Sequence, residues 1–438
     1  MTDLEEEFAE SDQARLRRRL PWLLMLDTAR VAADPKKLLL AAAAIALVRL
    51  AWAGIDRLPF AEAAAPERQA VAVAAAQLDR RPPLAPFVVT PTDRARTRFQ
   101  LAAGVPATGL EVPGTLAGLT ERSLPRLLLP AALVNDPLAE LTARGASWSR
   151  LADLMLRTLA ALAVWALLGG AIARLAALRM TDDHPDSLID AVKYSGRHLI
   201  SSIGGPTIPL VGFFSLWGLV ALAGLLARIP TVGPIVAGVL WIPILALGLF
   251  AAILLLGTLL SWPLMVATLS IEGTDAFDAL SRAFGYLFGR PLMLAGLALL
   301  AVLVGSLGTL VVVGIAELAS QLAMRFVATG YAGGVLETDA ALRTGDDASA
   351  ILAWSQSVWD LVAASYPAAF FWTATTAAYL LLRRSFEGTP LDRIWIPPSE
   401  QRDDLLPLVG EPAAEAREAE LSKADVEIAE STDEKPLD

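Results

Sequence analysis

The chain has no cysteine in its 438 residues. That excludes disulfides, thiolate zinc sites, iron–sulfur clusters and cysteine nucleophiles together. Histidine is almost as scarce, and with only two, His184 and His198, a histidine-based triad or a multi-histidine metal site has too few members. No phosphate-cradling G-x-x-x-x-G-K loop, no G-x-S-x-G elbow and no H-E-x-x-H helix occurs. The pairs Gly204-Gly205 and Gly333-Gly334 read as turn signals. The sequence therefore predicts no catalytic residue, no cofactor, no metal and no enzyme.

What is present is apolar. Hydrophobic residues make up 55% of the chain, and several stretches exceed the roughly 18 to 20 residues that a membrane-crossing helix needs. The class this predicts is an all-α polytopic membrane protein. The formal net charge of −10 is concentrated, because residues 399–438 hold thirteen acids against four bases. An acidic pI here describes a tail, and with the body near neutral nucleic acid is not an expected partner. Such a tail, 396–438, is expected to be disordered, since dense charge and few apolar residues do not offset ordering entropy.

Residues 1–37 predict an N-terminal amphipathic segment, with RLRRRLPWLLMLDTARVAA resting on an anionic leaflet and ending at Asp34-Pro35. No short apolar core with a small-residue cleavage site follows, so a cleaved leader is not expected. Lys36 and Lys37 precede transmembrane helix 1, residues 38–58, and place the N-terminus in the cytoplasm. Residues 59–150 are the sizeable insertion, expected outside the cytoplasm as a compact α+β unit or an irregular one. Five further spans follow within 151–395: about Leu151–Leu178, Thr207–Ala227, Pro243–Trp262, Leu292–Ala316 and Leu361–Leu382. Residues 235–242 are either re-entrant or interfacial. An outer loop is expected from Glu317 to Asp360, and Arg383-Arg384 hold the C-terminus in the cytoplasm.

Two cytoplasmic interfacial helices are expected, at 187–204 and 274–290. The second is the better specified: Thr274 or Asp275 caps its start, Asp275 and Asp278 oppose the dipole, and Gly289 with Pro291 ends it. Phe277, Leu280, Phe284, Leu287 and Phe288 recur at the helical period, while Asp278 and Arg282 pair at i, i+4. Asp190-Ala191 through Pro206 aligns without gaps with Asp275-Ala276 through Pro291. The fourth and sixth spans end alike, in Ile271-Glu-Gly-Thr274 and Phe386-Glu-Gly-Thr389. The arrangement predicted is six transmembrane helices as three parallel hairpins.

The segments GGAIARLAAL, EGTDAFDALSRAFGYLFGRP and LLRRSFEGTPLDRIWI resemble a family of bacterial six-span integral membrane proteins of unassigned function, over about Leu151 to Trp395. A fainter similarity is to the membrane domain fused to some glycerophosphodiester phosphodiesterases, whose catalytic acids and histidines have no counterparts in this chain. The resemblance implies a multi-pass protein of the bacterial cytoplasmic (inner) membrane and no active site.

Few residues invite chemistry. His184 with Asp182, Asp183 and Asp186 could be drawn as a metal cluster, but Pro185 and adjacency in sequence limit convergence, and the plain reading is a capping loop. Arg157 and Arg174 flank the second span and are expected to snorkel to opposite surfaces. Arg49 is the awkward charge, about 18 Å along a helix from Lys37. Two readings stand for it: an intramembrane functional charge, or an arginine snorkelling toward Asp56. Spans three to six contain no internal acid or base, which disfavours proton coupling. The stripe Ser365, Thr373, Thr376 and Tyr379 and the small residues Ala298, Ala301, Gly305 and Gly308 suit helix packing.

Two functions compete. The first is a structural or scaffolding membrane protein whose partners are the bilayer and other membrane proteins or copies of itself. The alternative is a permease-like or lipid-handling protein in which Arg49 or Arg157 serves a substrate cavity. A cavity shared by Arg49 and the polar stripe of span six would favour the second.

Overall fold

The computed structural model describes residues 20–61, 64–65, 123–140, 147–181, 187–230, 232–332 and 346–391. Most of the 59–150 insertion, the His184 cluster, the first nineteen residues and the 396–438 tail lie outside that set, and the expectations for them with it. Every regular element among the described residues is helical: α1 (Leu24–Ala32), α2 (Pro35–Ile55), α3 (Leu129–Glu140), α4 (Trp148–Thr181), α5 (Leu188–Arg197), α6 (Leu199–Leu226), α7 (Val232–Val239), α8 (Trp241–Glu272), α9 (Ala276–Gly289), α10 (Pro291–Ala332) and α11 (Asp346–Glu387).

Helix starts follow the local chemistry of the sequence. Asp34 caps α2 by accepting from Lys36 N, Ser187 caps α5 by accepting from Asp190 N, and Asp275 caps α9 by accepting from Asp278 N at 2.9 Å. The ends of α8 and α11 are also chemically defined. Gly273 (φ 64°) and Gly388 (φ 71°) adopt the left-handed conformation that terminates a helix at little cost only for glycine.

Five helices, α2, α4, α6, α8 and α10, are long and apolar enough to cross a membrane. The longest of them, α10, has 42 residues and is about 63 Å long, roughly twice a hydrocarbon thickness. The expected outer loop from Glu317 is therefore shorter than predicted: α10 runs unbroken to Ala332, and α11 begins at Asp346. Residues 232–239 form a separate exposed helix, α7, between the two longer ones. The expected helix 187–204 breaks at His198, whose backbone leaves the helical region, so Leu199–Gly204 belong to α6.

Packing is uneven, and α11 is its hub. It contacts α1, α2, α4, α8 and α10, and from Ser365 to Leu382 nearly every residue is buried or half-buried. A helix enclosed by protein need not be uniformly apolar, which is why this one carries Ser365, Tyr366, Thr373, Thr376 and Tyr379. At the other extreme, 6% of the apolar window of α6 and 17% of that of α8 are buried, against 72% for α4. α6 and the first half of α8 therefore sit at the periphery with their leucines outward, while Ser261–Ile271 of α8 are buried in the bundle.

Two segments expected near the surface are docked into this body. α1 buries Leu24, Met25, Thr28 and Ala32 against α10 and α11, and Ala29 O accepts from Tyr366 Oη at 3.4 Å. Asn135 of α3 accepts from Trp262 Nε1 at 3.0 Å and donates to Leu259 O at 3.1 Å. Those partners lie about 15 to 20 Å along α8 from Glu272, well inside the bundle.

Candidate functional site

Three polar or aromatic clusters stand out within the bundle, one near each end and one between them. At the end remote from α9, the spacing Arg150, Asp153, Arg157 places one carboxylate between two guanidinium groups on one side of α4. Asp153 is fully buried and accepts from Arg157 Nε at 2.8 Å and Arg150 Nη1 at 3.3 Å. Arg150 also pairs with Glu140 of α3, and Arg157 with Asp56 at the end of α2. Trp52 Nε1 donates to the Arg157 carbonyl at 3.2 Å, and its ring lies 5.6 Å below the guanidinium. This network ties α2, α3 and α4 together.

The two candidate intramembrane charges thus part company. Arg157 does not snorkel: it is buried and engaged by two carboxylates. Arg174 does not snorkel either, because it is 1% exposed, stacks 4.3 Å over Tyr194 and donates to Ser270 O. Arg49 is exposed on the outer surface of α2, within the field of Asp360 on α11, while Asp56 is bound to Arg157.

At the α9 end, the glutamates of the two Glu-Gly-Thr sequences each clasp a neighbouring helix. Glu272, last residue of α8, accepts from Tyr379 Oη at 3.2 Å and pairs with Arg383, both on α11. Glu387, last residue of α11, accepts from Tyr286 Oη at 2.6 Å and from Arg282 Nη1 at 3.1 Å, both on α9. Burial and the hydrogen bond to Glu387 push the Tyr286 hydroxyl well above its ordinary pKa, so it remains a neutral donor. Burial works against the charge of Arg282, but Asp278 and Glu387 more than offset it and raise its pKa. The Asp278–Arg282 pair expected at i, i+4 is present and also belongs to an interhelical network.

The middle is aromatic. Trp372 of α11 lies 6.0 Å from Trp165 and 5.6 Å from Trp262, centroid to centroid. α4 widens into a π turn over Trp165–Gly169 at this level. Ser195 Oγ and Ser270 Oγ, from α5 and α8, donate at 3.0 Å to the carbonyls of Ala166 and Gly170 around it. Such hydroxyls satisfy backbone acceptors that a widened turn leaves open. The indole N–H groups of Trp165 and Trp372 are buried without a hydrogen bond.

The polar stripe of α11 is consumed internally. Thr373 donates to Ala369 O, Thr376 to Trp372 O and Ser365 to Val362 O. All three side chains are buried, while Arg49 is exposed on α2. Among the described residues, no group of three or more acids or histidines is placed to hold a metal ion.

Sequence reasoning missed Asp153, Glu272, Glu387, Arg383 and Tyr286 as members of networks. A usable signal existed in Arg150-x-x-Asp153-x-x-x-Arg157 and in the shared glutamate of the two Glu-Gly-Thr ends.

On α9 the buried face is Ala279, Ala283 and Tyr286, with Phe277 and Phe288 exposed. Phe284 is half-buried, its ring packed at Gly257 of α8. Phe284→Asp is accordingly expected to cost several kcal/mol and to abolish monodisperse yield from detergent. Asp278→Asn leaves Arg282 bound to Glu387 and should cost on the order of 0.5 kcal/mol. Equal yields for the two would remove Phe284 from the packing.

No family model, no curated protein and no solved structure matches this chain.

Proposed function

We propose that the protein is an architectural, partner-organising component of the bacterial cytoplasmic membrane. In this reading it has six spans arranged as three hairpins, with α11 as the sixth, both termini in the cytoplasm, and membership of the six-span family it resembles. The observation that carries the reading is how the bundle uses its polar groups. Carboxylates, arginines and tyrosines join helix ends to one another across α2, α3, α4, α8, α9 and α11. Charges so engaged hold a scaffold in register. That the stripe hydroxyls of α11 donate within their own helix supports this reading over the permease-like one. Phe277 and Phe288, exposed on α9, are suited to the membrane–water interface and to contact with lipid or a second membrane protein.

Topology is tested directly, since the chain has no native cysteine. Single cysteines replacing Gln77 and Arg343 are expected to react with an impermeant thiol reagent applied to intact cells, and those replacing Asp12 and Ser422 to stay unlabelled. Labelling at Ser422 would reverse the assigned orientation. The architectural role is tested by ranking variants: loss of cellular function should follow loss of stability. Arg49→Gln keeping full stability while losing function would make Arg49 a working residue and overturn the reading.

A further inference from the structure

Toward both ends of the bundle arginines pair with carboxylates, as Arg150, Arg157, Arg282 and Arg383 do. Arg290, the residue between α9 and α10, is different. It is exposed, and among the described residues its guanidinium pairs with no carboxylate and donates to Ser385 Oγ of α11 at 3.2 Å. Glu387, two residues further along α11, is held by Arg282 and Tyr286. The Ser385 hydroxyl accepts from Arg290 and keeps its own proton to donate. A guanidinium and a hydroxyl therefore offer donors side by side.

Apolar surface adjoins these donors. The Phe386 ring packs at Gly289, where an added Cβ would lie 3.0 Å from it, and both Phe386 and Phe288 remain exposed. Leu292 follows Arg290 by two residues, which keeps their Cα atoms within about 7 Å of each other. It is 88% exposed. From there Leu292, Gly296, Leu299 and Leu303 recur at the helical period as one outward stripe of α10, and a Cβ on Gly296 would meet nothing within 4 Å. Leu292 to Leu303 spans about 16 Å of helix, close to one leaflet of a hydrocarbon core about 30 Å thick.

We infer that Arg290 and Ser385 form a headgroup site for an anionic phospholipid whose acyl chains lie along the Leu292–Leu303 stripe of α10. Charge chooses the ligand class. An exposed guanidinium without a counter-ion, beside a hydroxyl, suits a phosphate, whose ionised oxygens only accept. In a zwitterionic lipid the headgroup ammonium competes for that phosphate, so a lipid with net negative charge is favoured. Shape chooses the source. A cation at the foot of an apolar stripe one leaflet long, with aromatic rings beside it, matches an amphiphile standing at a membrane–water interface. A free phosphate or an acidic peptide would use the two donors and leave the stripe uncovered. The inference rests on the bilayer placement within the architectural reading and gives that reading a partner; it does not depend on which side of the membrane α9 faces.

The test uses the full-length protein in neutral detergent. Thermal unfolding is followed on adding phosphatidylglycerol, phosphatidylcholine or glycerol phosphate, which has the head and no chains, and retained lipid is counted by native mass spectrometry. Phosphatidylglycerol is expected to raise the unfolding midpoint by about 4 °C, saturably, as for a ligand that binds only the native state, and the other two by less than about 1 °C. Arg290→Gln should remove most of that increment and one retained lipid, and Ser385→Ala about half of the increment, since the charge-assisted bond is the stronger. Arg197→Gln, which removes another exposed cation, on α5, should keep it. Equal increments for the two lipids, an increment that survives Arg290→Gln, or its equal loss in Arg197→Gln overturns the proposal. Glycerol phosphate matching phosphatidylglycerol overturns the lipid assignment. None of these outcomes bears on the cysteine labelling, which tests the bilayer placement separately.

Discussion

Asp153→Ala is expected to lower the unfolding midpoint of the detergent-solubilised protein by about 10 °C, the largest loss of any single substitution at a charged position. The carboxylate is fully buried between Arg150 and Arg157. Its removal leaves Arg150 paired with Glu140 and Arg157 with Asp56, and takes from both guanidinium groups the buried carboxylate they share, so that Arg157 Nε and Arg150 Nη1 lose that acceptor in a low-dielectric site. Breaking one member of a buried ion network costs about 3 to 5 kcal/mol, and here the loss falls on buried guanidinium N–H groups left without their acceptor. The same argument makes a second, opposite prediction. Replacing Asp153 and Arg157 together by leucine and methionine removes both partners of the buried pair, leaves the part-exposed Asp56 carboxylate to solvent, and should recover most of the lost stability. Thermal unfolding of the two variants side by side measures both. A wild-type midpoint for Asp153→Ala would mean that water solvates the network.

The second large effect is expected at Gly169. A Cβ there would lie 2.3 Å from the indole of Trp372, closer than any real contact permits. That indole is fully buried between Trp165 and Trp262 and has no flexible end to swing away. Gly169→Ala should therefore cost about 3 kcal/mol, the upper part of the range for overpacking. It should also shift the tryptophan emission of the cluster. Gly285→Ala is the control, since nothing lies within 4 Å of its added methyl on α9. That change should be neutral or stabilising by about 0.5 kcal/mol. Equal unfolding midpoints for the two alanine variants, with unchanged emission, would show that α4 and α11 are not in contact at this level.

What was legible in the sequence was local. The caps at Ser187 and Asp275, the stop at Gly289 and the glycines after Glu272 and Glu387 follow from backbone chemistry within a few residues. The networks were illegible for the opposite reason. Glu387 and Tyr286 are 101 residues apart and Arg383 and Glu272 are 111, and a lone charge at a helix end looks the same whether it faces water or a partner. Only the Arg150, Asp153, Arg157 spacing put part of a network within one helix.

Burial was ambiguous in a way peculiar to this class. Lipid tails and a protein interior are equally apolar, so hydropathy alone does not distinguish α6, which faces outward, from α4, which faces its neighbours. The sequence by itself determined a cysteine-free, helical chain with several helices apolar enough to cross a membrane, the capped starts of α5 and α9 and the glycine ends of α8 and α11, because those depend on composition and on contacts within one turn. Only the tertiary structure decided that the polar α11 is the hub, that α1 and α3 dock into the bundle, and that Arg157 is clasped while Arg49 is exposed. Those depend on which helix faces meet, and they are set by packing between segments that the chain order leaves far apart.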